Sequence, residues 1–285
     1  MESGPSAHAL PMHLPRVMLW AWERPEDLRF LNPSQAGVAF LAGTIEIQST
    51  NDADPPDNTL GVVLKPRLQS LQIPSGTPLM AVVRIETPND LWHHPPDWRD
   101  GGAAATSTSL YSTAQRDRVT DMILSLASVR GVRALQLDYD ATRGEQPFYR
   151  KLLETLRFRL PRRMPLSITA LASWCIGDPW LNSLPPGTLA EAVPMFFRMG
   201  PDAPAVAAFL ESGREFRAHV CRSSVGVSTD EAFSRALLKR GFPRSAGQGS
   251  SRRIYVFSNR AWTRAQVAKI LAEVHRWDAV AGKSR

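Results

Sequence analysis

The sequence predicts an α/β fold in which eight parallel strands, mostly separated by helices, close into a barrel. Three observations carry this reading. The chain has 285 residues, close to the roughly 250 typical of such barrels. Short runs rich in Val, Ile, Leu and aromatic residues recur along it, as in strands buried on both faces. Between most of them lie segments whose apolar residues fall at helical spacing. The architecture is thus a (β/α)8, TIM-type barrel, with an irregular segment between the second and third strands where no good helix can be written. The competing architecture is an open doubly wound sheet. No glycine-rich phosphate loop follows the first strand to support its nucleotide-binding form.

Taken in order, 1–14 reads as a loose tail and 15–280 as a single barrel domain. Arg16 to Trp22 is the first strand, followed by Glu23, a Pro-containing turn and a short helical stretch from Pro25 to Leu31. Val38 to Ala42, continued through Thr44 to Ile47, is the second. Asn51 to Asn58 is a polar loop. Leu60 to Leu64 is a small extra strand, because Pro66 and Pro74 exclude a long helix. Leu79 to Glu86 is the third strand and ends in a carboxylate. Thr87 to Thr113 is a long insert of the kind that forms lids and binding loops; it carries Trp92, His93, His94 and Trp98.

A helix runs from Ala114 to Ser128, with Val119, Ile123 and Leu126 as its stripe, and Gly131 follows its end. The fourth strand, Ala134 to Asp140, organises the rest. The next helix opens at Pro147, a residue suited to a first turn, and runs to Leu160. Pro165 to Ser173 is the fifth strand, and Trp174 to Leu184 a loop or broken helix. Glu191 to Arg198 is the sixth strand, and Ala203 to Ser212 a helix. The segment from Arg217 to Val227 holds the seventh strand. Asp230 to Arg240 is a helix capped by Thr229 or Asp230. Arg252 to Ser258 is the eighth strand, and a helix from Thr263 to Trp277, capped by Thr263, ends the pattern.

Composition narrows the function. Apolar residues make up 43% of the chain, enough for a full core, and the formal net charge is +7, mostly from Arg. Basic residues are scattered, without an RNA-binding motif or zinc spacing, which reads as a solvated surface rather than a nucleic-acid site. No run reaches the roughly 18 apolar residues of a membrane span. The N-terminus lacks the basic start and apolar middle of a signal peptide, so the chain as written reads as cytoplasmic. A longer N-terminus carrying a signal would make it periplasmic or exported. Cys175 and Cys221 make neither a zinc site nor a disulfide framework; one bridge forms only if the fold joins them. His93, His94 and Asp97 lack the usual ligand spacing, and no metal or other cofactor is expected.

In such barrels the active site lies at the carboxyl ends of the strands. On the fourth strand Gln136, Asp138 and Asp140 share one face, and Leu135, Leu137 and Tyr139 share the other. Two carboxylates on a buried face repel each other and resist losing water. Packing alone does not call for them, although acids that hold nearby Arg residues are the bland alternative. Other strands end in Trp22 and Glu23, in Arg84 and Glu86, in Trp174 and Asp178, and in Arg198. Acids, arginines and indoles at one rim describe a site for a polar ring-shaped ligand such as a sugar. Glycosidic cleavage needs one protonated and one ionised carboxyl group. Asp140, farthest toward the mouth, is the candidate general acid, with Asp138 tuning it from below. Glu86 is the second carboxylate, with Glu23 as its substitute and an ion pair to Arg84 or Arg198 as its structural alternative. Trp22, Glu23, Arg84, Trp174, Asp178 and Arg198 are candidate substrate-binding residues. Trp174 and Trp180 read equally as core.

Gln136-x-Asp138-x-Asp140 resembles a degenerate form of the Asp-x-Asp-x-Glu strand end of chitinase-type hydrolases. It departs at both ends, with Gln first and Asp last. The blocks Leu14 to Leu28, Gln136 to Ala141, Met164 to Cys175 and Ala192 to Gly200 occur in order. Together they resemble a bacterial family catalogued as domain of unknown function 3142. That resemblance covers most of the chain from Leu14 to about Gly200 and implies a glycosidase-like barrel without a substrate or catalytic assignment. Two function classes follow: a glycoside hydrolase-like enzyme whose partner is a small or oligomeric carbohydrate, and a non-catalytic barrel that binds a saccharide or a protein. Sugar identity, linkage and oligomeric state are not written in the sequence.

Overall fold

The computed structural model describes residues 13–47, 61–87, 112–242 and 252–282, with backbone alone for 278–282. The Asn51 to Asn58 loop, most of the insert with Trp92, His93, His94, Asp97 and Trp98, and most of the N-terminal tail lie outside the described residues.

The chain begins with β1 (Val17–Ala21), β2 (Glu26–Asp27) and β3 (Ala36–Ile47). β4 (Val62–Pro66), β5 (Leu71–Gln72) and β6 (Leu79–Glu86) follow, and α1 (Thr113–Ala127) leads to β7 (Val132–Asp138). Next come α2 (Gln146–Arg159), β8 (Leu166–Leu171), α3 (Ala172–Ile176) and β9 (Glu191–Met195). α4 (Ala203–Glu211), β10 (Ser224–Ser228), α5 (Ala232–Arg240), β11 (Arg253–Phe257) and α6 (Arg264–Gly282) complete it. The parallel strands are ordered β1-β11-β10-β9-β8-β7-β6-β3, and β1 also pairs with β3, from Val17 opposite Ala36 to Ala21 opposite Phe40. That pairing closes an eight-stranded parallel barrel, as the sequence predicts.

The segment between the second and third barrel strands is irregular, also as expected. No described helix stands there. β4 instead pairs antiparallel with the far half of β3, so β3 outgrows the barrel and bulges between Leu41 and Gly43. The helix expected from Pro25 to Leu31 is absent. Glu26 and Asp27 instead pair in parallel with Leu71 and Gln72 of β5, a non-local contact that local propensity cannot foresee.

Two cores follow from the alternation of side chains. Leu135, Leu137 and Tyr139 face outward with Leu152, Leu156 and Ile123 in the layer between barrel and helices. Met18, Trp20, Met80, Val82, Val193 and Tyr255 fill the barrel itself. Trp20 fits because β10 offers Gly226: a Cβ there would lie 2.8 Å from the indole Cη2, closer than packed carbons tolerate. The interior is also hydrogen-bonded. Trp20 Nε1 donates to Gln136 Oε1 at 2.8 Å, and Gln136 Nε2 donates to Ser167 Oγ at 3.1 Å. Below them the buried Glu191 carboxylate accepts from Ser167 Oγ, Tyr255 OH and Arg253.

Cys175 at the end of α3 and Cys221 in the turn before β10 form a disulfide, with Cα atoms 5.8 Å apart. Both are fully buried. Caps agree in part. Thr263 Oγ1 accepts from Gln266 N, and the Gln266 side chain accepts from Thr263 N, the reciprocal pattern of a capping box. At α5 the N-cap is Glu231 rather than Thr229 or Asp230. Asp230 instead accepts from Asn259 N at 2.7 Å and so ties the ends of β10 and β11.

Candidate functional site

Because the eight strands are parallel, their carboxyl ends meet at one mouth. A cavity of about 670 Å3 opens there, and its lining includes Asp138, Asp140, Glu86, Arg84, Trp22 and Arg198. Six side chains proposed from strand-end position therefore share one space. β7 ends at Asp138, so Asp140 stands beyond the strand, in the loop, but on the same side as Asp138.

Asp138 is held from the neighbouring strand. β7 and β8 pair with Leu137 opposite Ile168, which sets Thr169 beside the acid, and Thr169 Oγ1 donates to Asp138 Oδ1 at 2.7 Å. Burial pushes the Asp138 carboxyl above its ordinary value of 3.8, against the opposing pull of Thr169, Arg84 and Arg198. Desolvation thus outweighs the stabilisation of the charged form. Asp138 is nevertheless partly open to the cavity, so this environment belongs to the site itself. Tyr149 of α2 lies behind the acids. Burial, reinforced by Asp138 and Asp140, drives its phenol well above the usual value.

Glu86 is ion-paired: Arg84 Nε lies 3.1 Å from Glu86 Oε1, with both side chains about a third exposed. Side chains of like register on β6 thus face the same opening. Another acid at this rim serves the scaffold. Glu145 is fully buried and accepts from Thr87 Oγ1, Thr142 N and Thr142 Oγ1 at 2.6 to 2.8 Å. It clamps the end of β6 to the loop that carries Asp140.

The aromatic wall comes from three strands. Phe197 and Phe257 stack at 5.6 Å with an 8° interplanar angle. Trp22 meets Phe257 edge-on at 6.1 Å, and Trp20 meets Phe197 edge-on at 6.0 Å. Arg67 bonds the carbonyls of Ala21, Trp22 and Arg24, which fixes the chain where Trp22 projects. Arg198 lies past the end of β9, its guanidinium 5.4 Å from the centre of the Phe257 ring. Its backbone is left-handed, with φ at 51°, a conformation that L-residues other than Gly, Asn and Asp seldom adopt.

Three sequence-derived candidates do not line the cavity. Glu23 is exposed away from it. Trp174 is buried against Trp180, 5.0 Å between ring centres, in the layer outside the barrel. Asp178 accepts from Trp180 N and from Gln146 Nε2, both at 3.1 Å, and so holds a turn. The cause is common to the last two: β8 stops at Leu171 and the chain turns directly into α3, which carries them off the rim. Conversely, Thr169, Phe197, Phe257 and Trp20 escaped the sequence reading. Thr169 shares the inward alternation of Ser167 and Leu171, the one local signal that could have marked it. Among the described residues no group of three His, Cys, Asp or Glu side chains is placed to hold a metal ion, and no helix is long and apolar enough to cross a membrane.

No protein-family model matches the chain, and no curated protein matches it. Two solved structures align with the chain. A family GH18 chitinase from Chromobacterium violaceum aligns with a TM-score of 0.54 and 9% identity, over 90% of this chain and 82% of its own. The Bacillus cereus spore cortex-lytic enzyme SleL aligns with a TM-score of 0.42 and 16% identity, over 77% of this chain and 52% of its own. At this identity the chitinase match bears on fold alone, the (β/α)8 barrel.

Proposed function

We propose that this barrel cleaves a glycosidic bond in the cavity at its mouth, with domain limits of 15–280. One observation carries the reading: Asp138, Asp140 and Glu86 line a single cavity walled by Trp20, Trp22, Phe197 and Phe257. Carboxyl groups beside aromatic faces suit a sugar ring, whose hydroxyls need acceptors and whose apolar face needs a flat surface. Asp140, beyond the end of β7, donates the proton to the glycosidic oxygen. Asp138, whose carboxyl burial pushes above its ordinary value, lies below Asp140 and tunes it. Glu86, oriented by Arg84, is the second carboxylate. Trp22, Arg84 and Arg198 hold the sugar. The fold shared with a chitinase supports carbohydrate as the substrate class by analogy. We infer membership of the domain of unknown function 3142 family from the four sequence blocks quoted above.

A binding role without hydrolysis is favoured by one feature, the Arg84–Glu86 ion pair, which commits that carboxylate to a structural partner. Hydrolysis of a glycan panel separates the two. Wild-type protein should release reducing ends from at least one glycan, and Asp140→Asn should lower that rate by about 100-fold or more, the scale expected for loss of a general acid. Binding without turnover in wild type would select the second reading. Full turnover by Asp140→Asn would remove Asp140 from the mechanism.

A further inference from the structure

Of the two arginines that line the cavity, Arg84 is paired with Glu86, while Arg198 makes no ion pair among the described residues. Its position is built rather than incidental. Arg198 is the one non-glycine residue with positive φ among those described, and such strain persists where the surroundings enforce it, commonly at ligand sites. Here Glu231 Oε1 enforces it by accepting from Arg198 N at 2.9 Å. The side chain is laid over Phe257, itself stacked on Phe197. A guanidinium resting on an aromatic face keeps its in-plane N–H groups free to grip a carboxylate with two parallel bonds. Of the four carboxyl groups that line the cavity, Glu86, Asp138, Asp140 and Asp202, Glu86 is matched by Arg84 and burial draws Asp138 toward its neutral form.

We propose that the saccharide taken by this site carries a carboxylate, and that Arg198, held over Phe257, recognises it. The inference rests on the saccharide reading above and adds the acidic group. The sugar ring would lie along the aromatic wall with its carboxylate toward the β9 end. A neutral sugar would offer the guanidinium no charged contact.

The test uses glucuronate- and galacturonate-containing oligosaccharides, each matched with its carboxyl-reduced counterpart of the same linkage, beside neutral chito- and gluco-oligosaccharides. Affinities are measured by calorimetry for the full chain, for Arg198→Lys and for Arg198→Asn. Asn is chosen because it tolerates a left-handed backbone; thermal melting of each variant checks folding. At least one acidic oligosaccharide should bind about tenfold tighter than its reduced partner, the scale of one charge-assisted contact. Arg198→Asn should erase that preference, and Arg198→Lys should keep part of it. Equal binding of acidic and reduced partners, or an acidic preference that survives Arg198→Asn, overturns the acidic recognition and leaves the saccharide reading standing. Binding of no saccharide of any kind overturns both.

Discussion

Replacing Gln136 with Leu tests how the cavity floor is held. Gln136 is fully buried and sits between two partners: its Oε1 accepts from Trp20 Nε1 at 2.8 Å, and its Nε2 donates to Ser167 Oγ at 3.1 Å. Leu keeps most of the volume but takes away both bonds. The indole N–H is then a buried donor without an acceptor, which costs about 1–3 kcal/mol. Ser167 loses a donor but still reaches Glu191, so its share is smaller, about 1 kcal/mol. The expected loss is therefore about 2–4 kcal/mol. Urea denaturation followed by circular dichroism measures it, with the m-value checked for constancy. A double-mutant cycle with Trp20→Phe isolates the bond: the combined variant should lose about 1–3 kcal/mol less than the sum of the single changes. Because Trp20 also lines the cavity, Gln136→Leu should weaken saccharide binding as well. A stability change below about 0.5 kcal/mol, within the range of a neutral surface substitution, would refute this account of the floor.

Two further outcomes follow from the same geometry. Cys175 and Cys221 stand 46 residues apart, so closing that loop restricts the unfolded chain by about 4 kcal/mol; the Cys175→Ser/Cys221→Ser variant should lose stability on that scale, read by denaturation under non-reducing conditions. Thr169→Val removes a hydrogen bond that opposes the upward shift at Asp138. The folded protein holds the Asp138 proton more tightly than the unfolded chain does, so this group's contribution to stability falls as pH rises above the ordinary value of 3.8. The variant should therefore lose more stability near neutral pH than near pH 4, and an equal loss at both would contradict the assignment.

The barrel was legible because each of its strands is a short apolar run, and short runs separated by helical spacing admit few architectures. The face shared by Gln136, Asp138 and Asp140 was legible for the same reason, since strand alternation is local. What escaped is non-local. Thr169 meets Asp138 only through the register of β7 on β8. Glu26 and Asp27 became a strand because residues of β5 lie beside them. Trp174 and Asp178 left the rim because β8 gives way to α3 at Ala172, two residues before the strand was expected to end. The pairing of Cys175 with Cys221 depends on α3 approaching the turn before β10, which no spacing rule supplies. Phe197 and Phe257 read as ordinary strand residues until closure set them face to face.

The most direct measurement is where a saccharide sits. A crystal structure of Asp140→Asn grown with a glycan that binds the wild type should place a sugar ring against Trp22 and Phe257, with a glycosidic oxygen facing residue 140. A ring bound elsewhere, with the cavity at the carboxyl ends of the strands left without sugar, would contradict the account.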